Sequence, residues 1–182
     1  GICPDAQVPY TEIIAKYLIE HLAEFTDGIP KIRRSASYRT STHKGEFDPN
    51  SNRIEELTAM KMFNLCQTGE RYAKVGKILD YQVPLKNKQS DQAGKIDLLA
   101  YDGSILRVLE LKKPDTQETM LRCVLEGYTY LRTVDTVKLT EDFDIPANTP
   151  VKASPFVFEN SLPHQEYLDQ RPNLKKLMDL LD

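Results

Sequence analysis

Residues 95–114, KIDLLAYDGSILRVLELKKP, constrain this chain more than any other stretch, because they set charged side chains inside what otherwise reads as a buried β-hairpin. Residues 96–101 are short and apolar, Asp102-Gly103 is a turn pair, and residues 105–112 are β-branched and leucine-rich. Asp97, Glu110 and Lys112 interrupt this pattern. Burying unpaired charge costs several kcal/mol, so a core hairpin keeps such residues only where something compensates them.

Side chains alternate between the faces of a strand, so Glu110 and Lys112 share one face and Leu109 and Leu111 the other. Asp97 joins the charged face if the loop has the right parity. A two-residue turn at Asp102-Gly103 sets Asp97 opposite Val108, diagonal to Glu110. A four-residue loop sets it opposite Glu110 itself. In both cases the Cβ atoms are roughly 5–8 Å apart, whereas a three-residue loop separates them. Shared-face geometry is the expectation. Two carboxylates and a lysine so placed suit a divalent cation held by hard oxygen ligands. The cation polarises a phosphoryl oxygen and acidifies a water, and the lysine orients that water or meets developing negative charge.

Asp97, followed by Glu110-Leu111-Lys112 at the end of the next strand, resembles the PD-(D/E)XK nuclease superfamily, the restriction-endonuclease-like fold. More loosely, GKIDLLAYDG and VLELKKP are similar to the nuclease domains of type I restriction subunits. Ile96 stands where the superfamily name has proline. A Glu-x-Lys triplet alone arises about once by chance in a chain this charged. The strand, the preceding Asp and a following helix are what make the match specific. The resemblance implies one α/β domain over residues 1–182, with a restriction-endonuclease-like mixed β-sheet of about four to five strands flanked by helices. It implies a Mg²⁺- or Mn²⁺-dependent nuclease that hydrolyses the phosphodiester bonds of nucleic acid, DNA rather than RNA, with metal-activated water. Asp97 and Glu110 would hold the metal with the backbone carbonyl of Leu111, and Lys112 would position the water and stabilise the transition state. The alternative is a non-catalytic module of the same fold that binds nucleic acid or a protein partner.

Composition sets outer limits. A chain of 182 residues with 40% hydrophobic and 28% charged content fits one soluble globular domain. A net charge of −3 does not advertise a nucleic-acid binder, so any such contact needs a local basic patch. Cys3, Cys66 and Cys123 are far apart and form no Cys-x-x-Cys, which points away from zinc ribbons and disulfide frameworks and toward a reducing, cytoplasmic setting. No apolar run approaches transmembrane length and no signal-peptide pattern is read, so no membrane partner is expected; the Gly1 start suggests a trimmed or processed end.

The flanking segments are read around the hairpin. Residues 10–25 have helical spacing, with Ile13, Ile14, Tyr17, Leu18, Leu22 and Phe25 as the apolar stripe and Thr11 as a cap; His21 beside it reads as structural. Residues 31–52 are irregular and basic. Arg33, Arg34 and Arg39 there, with Lys113, are candidate nucleic-acid contacts, His43 and Lys44 extend the basic lean, and Tyr38 is compatible with base stacking. A plain solvated loop is an equal reading. A helix capped by Asn52 or Ser51 and closed by Gly69 places Ala59, Met62, Phe63 and Cys66 on one arc, with Glu55 inside it and Glu56 at its margin. The resembled family often takes a further acid from a helix before the sheet. Glu55 is assigned that role, with Glu56 as the alternative and a simple capping glutamate as an equal reading. Residues 74–85 read as the first strand or strand pair, with Pro84 at an edge or strand end and Asp80 structural, and residues 86–95 as a polar loop whose Lys86, Lys88 and Lys95 are candidates for phosphate contact, as in the 31–44 segment. Residues 118–134 read as a helix. The resembled nucleases often carry Gln-x-x-x-Tyr there, and Glu126-x-x-x-Tyr130 is similar in place. The preferred reading is nevertheless a solvated face with an Arg122–Glu126 ion pair. Residues 135–150 read as loop, 151–158 as an edge strand, and 164–182 as a helix interrupted at Pro172.

Overall fold

In a computed structural model the hairpin forms the centre of a four-stranded mixed sheet with the order β1-β2-β3-β4. The structure describes all residues except 5, 6, 41, 42, 44, 47–51, 89 and 92, so Lys44 and Ser51 lie outside the described residues. The strands are β1 (Lys77–Pro84), β2 (Lys95–Tyr101), β3 (Leu106–Leu111) and β4 (Val151–Phe156). β1, β2 and β3 are antiparallel, and β4 runs parallel to β3 from Leu106↔Val151 to Leu111↔Phe156. Both strand prolines stand where a missing N–H does least harm: Pro84 ends β1, and Pro155 lies on the edge strand β4.

Tyr101 pairs with Leu106, so the hairpin closes through the four-residue loop 102–105 rather than a two-residue turn. Asp102 shapes that loop by accepting from the Ser104 and Ile105 N–H groups at 2.8 and 2.9 Å, and Gly103 takes the left-handed conformation at φ 100°.

Alternation then sorts the side chains. Leu98, Ala100, Leu109 and Leu111 pack under α3 (Ile54–Gln67), against Ala59, Met62 and Cys66. Leu106 and Val108 face the other way, against Leu139 and Phe143. Each buried leucine contributes about 1.5–3 kcal/mol over leaving it in water, and a one-residue slip would turn these leucines out of their core, which pins the register. The opposite face is covered by α4 (Met120–Thr133) and by α5 (Thr136–Asp142), an element within the stretch expected to be loop. α5 spans only seven residues, too few for periodicity to reveal. Its supports are local: the Asp135 carboxylate accepts from the Lys138 N–H, Lys138 pairs with Asp142, and Leu139 is fully buried.

The outer layer packs α1 (Tyr10–Glu20) and α7 (Pro172–Leu181) against α4 through Ala15, Leu121, Val124, Leu174 and Leu177. The expected helix over 10–25 breaks at His21, which stacks on Tyr17, and continues as α2 (Leu22–Asp27). Its buried face also differs from the expected stripe: Thr11, Glu12 and Ala15 are buried, while Ile13, Ile14 and Tyr17 are exposed. Polar anchors set this rotation. The Glu12 carboxylate accepts from the Asn173 and Leu174 N–H groups at the start of α7, and Thr11 accepts from Arg171, so Thr11 is no cap. The C-terminal helix is divided before Pro172 as expected, into α6 (Leu162–Leu168) and α7. The α3 cap is Arg53, whose side chain makes no capping hydrogen bond to the helix N–H groups; Gly69, at φ 104°, closes the helix. Among the described residues no helix is long and apolar enough to cross a membrane.

Candidate functional site

Because Leu109 and Leu111 face α3, Glu110 and Lys112 face α4. The β2–β3 ladder ends at Leu98↔Leu109, one step before Asp97 and Glu110 would pair. There the Asp97 carboxylate takes over, its Oδ2 accepting the Leu111 N–H at 3.0 Å. Its Oδ1 accepts from Gln82 Nε2 at 2.9 Å. Asp97 and Glu110 therefore share a face at the end of the ladder, as the four-residue loop requires.

Lys112 is the hub. Its Nζ lies 2.7 Å from each of Glu110 Oε1, Glu118 Oε2 and Glu126 Oε2, and the residue is only 5% exposed. Burial alone would lower the pKa of an ammonium, yet the bonds to Glu110, Glu118 and Glu126 outweigh it and hold Lys112 above its ordinary value. Arg122 pairs with Glu126 at 2.9 Å as expected, but Glu126 does not lie on a solvated face. Burial pushes its carboxyl up, and the bonds from Lys112 and Arg122 bring it below the ordinary value. Tyr130 is half-buried nearby, its phenol raised by burial and by the charges of Glu110 and Asp97. The Tyr130 hydroxyl lies so close to Gly94 that a Cβ there would come within 2.9 Å of it.

The two acids are strongly perturbed. Burial pushes Asp97 up to about 6, against the Leu111 N–H and Lys112, and the charge of Glu55 adds to the rise. Burial and then the Asp97 charge push Glu110 up to about 9 despite its bond to Lys112. Glu110 is 4% exposed, and its Oε2 is buried without a hydrogen-bond partner. Glu55 reaches the site from the first turn of α3, where its Oε1 accepts the Lys113 N–H at 3.0 Å. Glu56 turns away to Arg53 at 3.1 Å.

This donor set fits a hard divalent cation. Glu110 Oε2 accepts from no N–H or hydroxyl, with the Glu126 carboxyl as its neighbour, each Asp97 oxygen has a second acceptor site beyond the N–H it already takes, and all donors are oxygens. Among the described residues, however, no group of three or more His, Cys, Asp or Glu side chains is already arranged to hold a metal ion. In this arrangement the Lys112 ammonium draws three of the carboxylates to itself.

The basic segment is largely occupied with holding the fold. Arg34 donates to the Lys86 carbonyl and lies over the Tyr38 ring, Arg39 pairs with Asp144 at 2.9 Å over Phe143, and His43 pairs with Asp80 at 2.8 Å. Tyr38 is fully buried, with its hydroxyl accepting the Asp135 N–H at 3.1 Å, so it offers no ring face for base stacking. Arg33 is exposed and lines a cavity with Arg132 and Val134, and Lys113 reaches Asp115 at 3.4 Å.

Two site residues have no signal in the sequence. Glu118 reads as an ordinary acid at a helix start, but α4 begins at Met120 with Thr119 as its cap, which leaves Glu118 free to turn toward Lys112. Gln82 sits in a strand where nothing marks it as polar for a reason. No family model, curated protein or solved structure matches this chain.

Proposed function

We propose that this chain is a Mg²⁺- or Mn²⁺-dependent nuclease of the restriction-endonuclease-like fold, hydrolysing phosphodiester bonds, with DNA as the preferred nucleic acid. The observation that supports this best is the meeting of Asp97, Glu110 and Lys112 on one face at the end of the β2–β3 ladder, with Glu110 Oε2 buried and unpartnered. Asp97 and Glu110 would hold the cation, with the Leu111 carbonyl and Glu55 as further oxygen donors. A bound divalent cation supplies Lewis-acid charge and acidifies water. The protein's own groups do the rest. The Leu111 N–H holds one Asp97 oxygen in place. Lys112, kept protonated by its neighbours, supplies positive charge beside the phosphoryl oxygen on which negative charge develops, and could donate to it only as one of its three carboxylates turns to the cation. Arg33 and Lys113 supply positive charge for the phosphate backbone, with Arg34 and Arg39 bracing the loop that presents Arg33.

The direct test is incubation with single- and double-stranded DNA in Mg²⁺ or Mn²⁺. Cleavage is expected, with loss in both Asp97→Ala and Lys112→Ala; cleavage untouched by either substitution overturns the assignment.

A second reading, a non-catalytic module binding nucleic acid or a protein, is favoured by one observation. Lys112 is already satisfied by three carboxylates and is nearly sealed from water. Calorimetric titration with Mn²⁺ separates the two: saturable binding that Asp97→Asn abolishes belongs to the nuclease, and no heat at millimolar Mn²⁺ belongs to the module.

A further inference from the structure

β1 contains a backbone irregularity at the level of the acids. Gln82 adopts a left-handed conformation at φ 49°. The other non-glycine residues described with positive φ, Gln7, Asp144, Asn160 and Gln170, all lie outside helices and strands. A non-glycine residue in that region costs about 1–3 kcal/mol and persists only where the surroundings impose it.

The consequence is visible on both strands. Tyr81 and Val83, two residues apart, should share a face, yet Tyr81 packs under α3 and Val83 packs in the opposite core. Their partners Leu98 and Ile96 divide in the same way. β2 thus changes face at the level of Gln82 and Asp97, and β1 changes face there too, separately from its bulge between Ile78 and Asp80. The backbone conformation does not call for an amide there, since a glycine would serve the turn at less cost. What the amide adds is a donor, Nε2 to Asp97 Oδ1 at 2.9 Å. With the Leu111 N–H on Oδ2 at 3.0 Å, both carboxylate oxygens are pinned by neutral N–H groups. A neutral donor fixes the plane of the carboxylate without cancelling the charge that a cation needs, which a lysine there would do.

We infer that Gln82 is a positioning residue for Asp97, held in a strained strand conformation so that its amide orients this carboxylate toward a divalent cation. The inference rests on the nuclease reading above.

The test compares wild type with Gln82→Gly and Gln82→Asn by Mn²⁺ calorimetry and by thermal melting without metal. Glycine relaxes the left-handed backbone while removing the donor, and asparagine tolerates the conformation but shortens the reach. Gln82→Gly is expected to melt at or above the wild-type temperature and to bind Mn²⁺ about 10- to 100-fold more weakly, with Gln82→Asn between the two. A merely structural residue would move the melting temperature and leave the affinity. Wild-type affinity in the folded variants overturns the role of Gln82 and leaves the metal centre standing. Absence of Mn²⁺ binding by the wild type overturns the nuclease reading, and this inference with it.

Discussion

The Asp97 carboxylate accepts the backbone N–H of Leu111 at 3.0 Å, where the β2–β3 ladder has just ended at Leu98↔Leu109. A side chain thus replaces a ladder carbonyl. The substitution satisfies the Leu111 N–H, lets two strands part without an orphaned donor, and holds a carboxylate at the opening.

The acids make stability depend on pH. Asp97 and Glu110 have folded-state values of about 6 and about 9, above the ordinary carboxylate range. Raised values mean that the protonated forms suit the fold, so their contribution is intact at low pH. It is lost as pH climbs through the folded values. Metal-free protein is therefore expected to lose stability between about pH 4 and pH 9. The melting temperature of Asp97→Asn relative to wild type should rise over the lower half of that window; a flat difference contradicts the burial argument. Since a cation must displace these protons, Mn²⁺ affinity should rise with pH over the same window, with proton release visible as a buffer-dependent heat.

Lys112→Met tests the hub. The substitution leaves Glu110, Glu118 and Glu126 facing one another without the buried ammonium, with only the exposed Arg122 still paired to Glu118 and Glu126. Breaking a buried pair costs about 3–5 kcal/mol, and the partial exposure of Glu118 and Glu126 brings the expectation to about 2–4 kcal/mol. Urea denaturation measures it. Adding Glu126→Gln to Lys112→Met should recover part of the loss, since it removes one of the stranded charges.

Glu12 gives a prediction far from the site. Its two oxygens accept the Asn173 and Leu174 N–H groups at 3.0 and 2.8 Å, from within a buried position. Glu12→Ala should cost about 1–3 kcal/mol by leaving those donors unpaired. Hydrogen exchange should show faster amide exchange at the start of α7 while the sheet amides keep their protection.

Gly76 supports the motif hairpin from below. It has φ 78°, and a Cβ there would collide with the Tyr101 carbonyl oxygen, a backbone atom that cannot swing aside. Gly76→Ala should cost about 2–3 kcal/mol, read as a lower urea midpoint with an unchanged slope. Gly69→Ala, also at positive φ but with nothing within 4 Å of a Cβ, should cost less.

Legibility in the sequence followed the range of the forces involved. Alternation over residues 105–112 was enough to pair Glu110 with Lys112 and set Leu109 and Leu111 against them, because a strand's period is local and strict. Strand order along the hairpin, the helix after it and the break before Pro172 were legible for the same reason. The rotation of α1 was not. The first half of its expected stripe, Ile13, Ile14 and Tyr17, is exposed while Leu18 and Leu22 pack half-buried, because Thr11 and Glu12 found partners on residues about 160 positions away. Glu126 and Tyr130 read as solvated because their helix face is polar. Only packing α4 over the end of β3 shows that this face looks onto Lys112.

By itself the sequence determined which residues of the hairpin share a face, and that two acids and an amine must be reconciled with a hydrophobic core. Tertiary structure decided the rest: the loop length that sets Asp97 level with Glu110, the capture of Lys112 by Glu118 and Glu126, and the turn at Gln82 that brings an amide to Asp97. The physical reason is that side-chain alternation is a property of neighbours along the chain. The pairing of buried charges depends instead on which distant element closes over them, and burial makes that choice too costly to leave unsatisfied.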